Sequence, residues 1–379
     1  MINGVWIIYN KLVDDQLQLT IGGIQSYILN LIEVCKEYGA KNITVCQAAG
    51  RDFEVEFPDF HIIGVKGSVS GRRLVDHIEK NKNPDYENDL LIFATDFLIC
   101  KNRFRKSVAV QHGIAFDGTT DFAVSNFENL KTIVKNVFRS VLKYSRFKNC
   151  NNIVCVDYNF LNWYRTQVRH IDSDFYVIPN FSKLIEVPTR KTDGIIKIIF
   201  ARRLEIYRGT RLFPEAIKPL LDKYKNISVT IAGTGPDEKW IKEQLSKYSN
   251  VTFTTYKSEE SLEIHSKYDI AVIPTKYSEG TSLSLLEAMA AGCATVCTNV
   301  GGMTNIVLDG FNGLMVRPVA EEIRDAIEEL IINHEKRQYL ASNGRLTVEK
   351  SFSYEKWKNS WEKLLSAVEN EPYGSKIKR

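Results

Sequence analysis

The chain has 379 residues, 44% of them hydrophobic and 25% charged, with a net charge of +4. That length suits two domains better than one core, and the composition excludes a low-complexity or disordered chain. The weak positive balance argues against nucleic acid as a partner, and no segment reaches the roughly 18 apolar residues of a membrane span.

The opening, MINGVWIIYNK, lacks the basic head and cleavage site of a signal peptide, so the expected location is the cytoplasm. The seven cysteines are odd in number and scattered in apolar surroundings, which fits reduced core thiols. Residues 5–9 read as a first strand. Gly22-Gly23 then open a helical pattern through Ile24, Ile28, Leu31 and Val34 to Gly39. Strand-like runs follow at 43–46, 61–65, 90–94 and 107–111. A long helical pattern spans 127–147, followed by a strand at 153–156, a helix at 159–169 and a strand at 175–178. Pro179-Asn180 end that strand, and the polar stretch 181–194 reads as a linker.

The second half repeats the rhythm, with strands at 195–201, 228–232, 251–254, 270–273 and 294–298. Strands alternating with helices imply α/β architecture, with parallel sheets covered on both faces. The expected organisation is a domain at 1–180, the linker 181–194, a second domain at 195–350, and a terminal segment 351–379. The two sheets should enclose a cleft, with ligands at the carboxyl ends of the strands.

Strand 270–273 runs into Pro274 and then Ser278 to Gly292, SEGTSLSLLEAMAAG. Glu279 and Glu287 stand eight apart, with Gly280, Thr281 and Ser282 between them at the start of the helix-forming run from Leu283. A glycine-bearing loop at a helix start suits an anion. A carboxylate at Glu287 can accept from the vicinal hydroxyls of a ribose, and Glu279 from a sugar hydroxyl. A capped helix with a surface glutamate is the bland alternative for the pair alone.

This run resembles the donor motif of the family-four retaining glycosyltransferases of the GT-B fold: a glutamate, seven residues, then Glu-Ala-Met-Ala-x-Gly. It matches at Glu279, Glu287, Ala288, Met289, Ala290 and Gly292. The resemblance continues through Gly233-Thr234-Gly235-Pro236, Gly301-Gly302 and the run from Asp309 to Val316. It is thinner over the first half. Gly280-Thr281-Ser282 departs from the commoner Gly-Phe-Gly, which implies altered sugar contacts.

The resemblance implies two Rossmann-like domains facing a cleft that closes over the donor, and a C-terminal helix crossing back to the first domain. Trp357, Trp361, Leu364, Leu365 and Val368 supply large apolar anchors for that helix. Arg203 and Arg208 fall at the family's two cationic positions, where they would hold a diphosphate and stabilise its departure. Arg202 stands where the family has glycine, which leaves open which of the adjacent arginines points inward. Gly22-Gly23 match a pair that lets the backbone approach the donor phosphates. Gln111-His112-Gly113 matches a His-Gly that brings the histidine to the sugar or acceptor. The Gly233–Pro236 turn reads as tight turn geometry with proline near the first helical position.

Between Lys101 and Lys148 stand 10 basic and 3 acidic residues. The stretch Lys131 to Lys148 suits either an anionic membrane surface or plain solvation. Asp117 and Asp121 lie in the loop expected to meet the acceptor. The whole reads as an enzyme moving a hexose-type sugar from a UDP- or GDP-linked donor to a hydroxyl of a glycan or lipid-linked acceptor, in bacterial surface polysaccharide synthesis. No metal or other cofactor is implied, since the arginines can serve at the diphosphate. A nucleotide-sugar epimerase of the same fold and a non-catalytic nucleotide-sugar or glycan-binding protein are the alternatives.

Overall fold

The computed structural model describes residues 2–20, 22–113, 145–167, 173–186, 194–277 and 279–370. The chain divides into two compact units. Among the described residues the first holds 2–112, 145–178 and 358–370, and the second holds Gly113 and 179–357.

The first unit is built on strands β1 (Gly4–Tyr9), β2 (Asn42–Ala49), β3 (Phe53–Glu56), β4 (His61–Lys66), β5 (Leu90–Phe93), β6 (Lys106–Gln111), β7 (Asn152–Cys155) and β8 (Asp174–Val177). They form one sheet in the order β3-β4-β2-β1-β5-β6-β7-β8. Its described pairs are parallel except β3 with β4. The central strands are buried throughout, which is why they read as unbroken apolar runs. Helix α1 (Gly23–Tyr38) ends at Gly39, whose φ of 110° places it in the left-handed region that closes a helix. Helix α2 (Gly71–Asn81) buries Leu74, Val75 and Ile78 and starts at Ser70, whose hydroxyl accepts from the Arg73 amide. Helix α3 (Tyr158–Gln167) follows β7.

The second unit's sheet, β9 (Ile196–Ala201), β10 (Ile227–Ala232), β11 (Val251–Thr254), β12 (Ile270–Ile273), β13 (Ala294–Thr298) and β14 (Leu314–Val316), runs β11-β10-β9-β12-β13-β14. All its described pairs are parallel. The helices are α4 (Leu212–Lys223), α5 (Glu238–Leu245), α6 (Ser261–His265), α7 (Leu283–Ala290), α8 (Ala320–Ile332), α9 (His334–Ser351) and α10 (Tyr354–Glu369). One core cluster joins Ile198 and Phe200 of β9 to Phe213, Ile217 and Leu220 of α4 and Ile323 and Ile327 of α8. A second joins Ile199, Ala271 and Ile273 to Leu285, Leu286 and Met289 of α7. The sheet is thus apolar on both faces, as a parallel sheet under helices must be.

The terminal helix α10 delivers Lys358 onward to the first unit. There Trp361, fully buried, donates its indole N–H to the Tyr27 hydroxyl at 3.0 Å. The amphipathic pattern read from the sequence is that of a helix anchored in the first unit's core.

Candidate functional site

In the second unit the site is assembled at the carboxyl ends of β9 and β12. The Arg202 amide donates to the Ala232 carbonyl at 3.0 Å, which carries the β9–β10 pairing one residue beyond the strand. Side chains alternate on extended backbone. Arg202 therefore turns inward, its side chain only 3% exposed, while Arg203 turns to solvent, 70% exposed, and pairs with Glu205. Of the two adjacent arginines, Arg202 lies beside Glu279 in the second unit and Arg203 stays exposed at the surface of that unit.

Arg202 Nη1 donates to the Thr275 hydroxyl at 2.7 Å, and Nη2 to Glu279 Oε2 at 3.0 Å. Arg208 also donates to Oε2, and the Thr275 hydroxyl donates to it at 3.0 Å. One carboxylate oxygen thus takes three donors, while Oε1 accepts none among the described residues. Burial raises the Glu279 carboxyl pKa, but the charges of Arg202 and Arg208 outweigh it and hold the group below its usual range. Burial lowers Arg202, with Glu279 opposing. At the more exposed Arg208, burial lowers and Glu279 raises, with a net rise. All three groups stay charged at neutral pH.

Backbone contacts fix this cluster. Gly209, at φ 91°, lies so close to the Pro274 carbonyl that a side chain would strike it. The glycines of the Gly233–Pro236 turn pack in the same way against the carbonyls of Arg202 and Leu204. The Leu204 amide donates to Thr234 and the Asp237 amide to Leu204. That turn therefore holds the arginine segment in place. Its proline stands immediately before the Asp237 cap of α5, near the first helical position.

Gly301 and Gly302 clamp the other side. Gly301 sits at φ 54° against the Glu279 carbonyl, and the Gly302 amide donates to that carbonyl at 2.8 Å. From Gly280 the chain enters α7 through Thr281 and Ser282. The Asn180 amide group donates to the Thr281 carbonyl at 2.8 Å. Ser282 is the N-cap residue, yet its hydroxyl caps nothing; it is buried with no hydrogen bond, as are Arg202 Nε and Asn180 Oδ1. Unpaired buried polar groups are uncommon. Here they accompany an uncapped helix start at Leu283, whose free amides attract anions.

Glu287 stands on α7, eight residues beyond Glu279. Its Oε2 accepts from the Ser261 hydroxyl at 2.6 Å, and burial pushes its pKa up to about 7, with the serine bond opposing. Tyr256 lies near both groups; its pKa is raised by burial and by the Glu287 charge.

In the first unit, α1 begins at Gly23 behind an extended Gly22, with no side-chain cap and no acidic residue in its first turn. His112, just past β6, hydrogen-bonds through Nε2 to the Ala94 carbonyl at 2.9 Å and meets the edge of Tyr27 on α1 at a centroid distance of 5.1 Å. Because a carbonyl can only accept, Nε2 carries the proton and Nδ1 is left as the acceptor. Burial lowers the His112 pKa to about 4, so the ring is neutral.

Asp117, Asp121, Ser278 and most of the Lys131–Lys148 stretch lie outside the described residues. Of that stretch, Arg146 is described, and it donates to the Phe97 carbonyl. Among the described residues no group of three or more His, Cys, Asp or Glu could hold a metal ion, and no helix is long and apolar enough to cross a membrane.

Residues 183–347 match the family model of the glycosyl transferases group 1. An uncharacterised glycosyltransferase of Methanocaldococcus jannaschii is 27% identical over 295 residues, 72% of each chain. Sucrose-phosphate synthase from Thermosynechococcus elongatus superposes with a TM-score of 0.72 at 16% identity, over 97% of this chain and 99% of that one. HepE of Anabaena, solved in complex with UDP, gives 0.69 at 16% identity over 96% and 100%. The fold is GT-B, α/β with two Rossmann-like parallel-sheet domains. The matched transferase segment contains Arg202, Arg208, Thr275, Glu279, Ser282 and Glu287. Thr275 and Ser261 were not singled out from the sequence, and Arg202 stood there only as the alternative to its neighbour Arg203. Arg202 and Thr275 share one signal that could have found them: each lies within two residues of a strand's carboxyl end.

Proposed function

We propose that the protein transfers a hexose-type sugar from a nucleoside diphosphate donor, UDP-linked as in the solved relatives that hold UDP, to a hydroxyl of a glycan or lipid-linked acceptor, with retained anomeric configuration. The observation that carries the reading is the Arg202–Glu279–Arg208 cluster. It combines two guanidinium groups, a carboxylate with an open oxygen, and an uncapped helix start. Arg202 and Arg208, with the α7 amides and the Ser282 hydroxyl, hold the diphosphate. Glu279 Oε1 takes a hydroxyl of the transferred sugar, Glu287 the ribose hydroxyls, and His112 Nδ1 a further hydroxyl. The α1 amides behind Gly22-Gly23 approach the donor phosphates.

As the bond from the anomeric carbon to phosphate oxygen breaks, the diphosphate keeps the electron pair, and the acceptor oxygen bonds to that carbon while its hydroxyl proton passes to the departing diphosphate. The arginines stabilise the charge that develops on the leaving group, without a metal. Synthesis of bacterial surface polysaccharide is the setting this chemistry suits.

A panel of UDP- and GDP-sugars, incubated with and without glycan and lipid-linked acceptors, tests the reading by release of nucleoside diphosphate and by product mass. Release only with an acceptor, and its loss in Glu279→Ala, is the expected result. Sugar conversion without an acceptor would identify an epimerase, and tight binding without turnover a binding protein.

A further inference from the structure

Ser261 has been given no role of its own so far, yet its surroundings are those of a residue built into the site. It is 3% exposed and opens the short helix α6, which packs against α7. Its hydroxyl donates to Glu287 Oε2 at 2.6 Å. Its carbonyl accepts from His265 Nδ1 at 2.7 Å, and His265 is itself 1% exposed. The next turn is tied down too, since the Cys293 thiol lies 3.2 Å from the His265 carbonyl. Serine at the first position of so short a helix needs no side-chain partner within α7. Here it has one, on the carboxylate assigned to the ribose.

The bond divides the carboxylate. Oε2 is taken by Ser261, and Oε1 accepts nothing among the described residues. A glutamate side chain has three rotatable bonds, and one fixed oxygen removes most of that freedom before a ligand arrives. We propose that Ser261 is the positioning residue of the donor site: it fixes the Glu287 carboxylate so that Oε1 faces the ribose hydroxyls of the nucleotide. This rests on the reading that Glu287 takes the ribose.

Groups that act on the pair are Tyr256 from the loop after β11, Arg202 through its charge on Tyr256, and His265 on α6 itself. Burial lowers the His265 pKa to about 4, so it stays neutral across the working range. Tyr256, its pKa raised by burial, stays protonated there. The titrating group at the site is then Glu287, and the serine bond favours its charged form.

The test is UDP binding by calorimetry from pH 5.5 to 8.5, with donor KM and kcat, for the parent, Ser261→Ala, Ser261→Thr and Glu287→Ala. Ser261→Ala should weaken UDP binding and raise KM about tenfold, the worth of one charged hydrogen bond, with kcat within about twofold. It should also move the acid limb of UDP binding to higher pH, and Ser261→Thr should restore both. Ser261→Cys, close in size and a poor donor, repeats the measurement if the alanine variant does not fold. Parent-like UDP affinity and an unmoved acid limb in Ser261→Ala, beside lost binding in Glu287→Ala, overturn the proposal and leave the ribose reading intact. Unchanged binding in Glu287→Ala overturns that reading and the proposal with it.

Discussion

Replacing Arg202 and Arg203 separately by alanine separates two neighbours with opposite surroundings. Arg202→Ala takes away a guanidinium that is 3% exposed and bonded to both Thr275 and Glu279. Removing one member of a buried ion pair costs about 3–5 kcal/mol. Arg208 and Thr275 still hold Glu279 in the variant, which trims the loss to about 2–4 kcal/mol. For a domain of this size that lowers the melting temperature by roughly 10 °C. Arg203→Ala removes a side chain that is 70% exposed and, among the described residues, paired with the nearby Glu205, so its melt should overlay the parent's. Thermal unfolding of the three proteins, followed by UDP titration, gives the comparison. UDP binding should fall at least about tenfold in Arg202→Ala, from the loss of a charge-assisted contact, and change little in Arg203→Ala. Equal losses in the two variants, or an Arg202→Ala protein that melts with the parent, would refute the argument that strand alternation selects Arg202.

Three further outcomes follow from the same geometry. With the Glu287 pKa near 7, the carboxyl is charged above that pH and protonated below it, so nucleotide affinity should fall about tenfold from pH 8 to pH 6, and Glu287→Gln should flatten the curve; a parent curve already flat over that range contradicts the assignment. His112, with its pKa depressed to about 4, should give no limb near 6.5 in a pH–rate profile, and His112→Asn should lower the rate without reshaping the profile. A limb near 6.5 that disappears in the variant would show a titrating His112 instead. Gly301→Ala forces a side chain at φ 54° onto the Glu279 carbonyl, which should cost about 1–3 kcal/mol in stability and most of the transferase activity; a parent-like melt and rate would show that the clamp is not needed.

Much of the fold was legible because parallel strands buried on both faces leave unbroken apolar runs, and helices between them show their own period. The strand at 270–273 was read to the residue, and so was the one at 294–298. The exceptions lie where burial is partial. β3 alternates half-buried and exposed positions at the sheet edge, and α2 buries only a narrow stripe on a charged helix, so neither leaves an apolar run. β14, three residues long, is shaped by its pairing with β13. At the site, Glu279 and Glu287 stood out through spacing around a glycine loop. The choice between Arg202 and Arg203 could not be made from local sequence, because it depends on how far β9 stays paired with β10. Ser261 is an ordinary serine 26 positions from the carboxylate it binds, and only the packing of α6 on α7 brings it there.

The three bonds on Glu279 Oε2 also decide what the empty site looks like to an ion in solution. Two guanidinium cations and one carboxylate leave a single net positive charge, so the glutamate serves as a resident counter-ion. A small inorganic anion arriving alone must compete with a partner already in place and has no ribose or sugar contacts to compensate. A nucleotide sugar brings those contacts with its diphosphate. The site can therefore stay unfouled in a solution rich in phosphate, and its affinity for the nucleotide should depend on ionic strength less steeply than two unopposed arginines would make it.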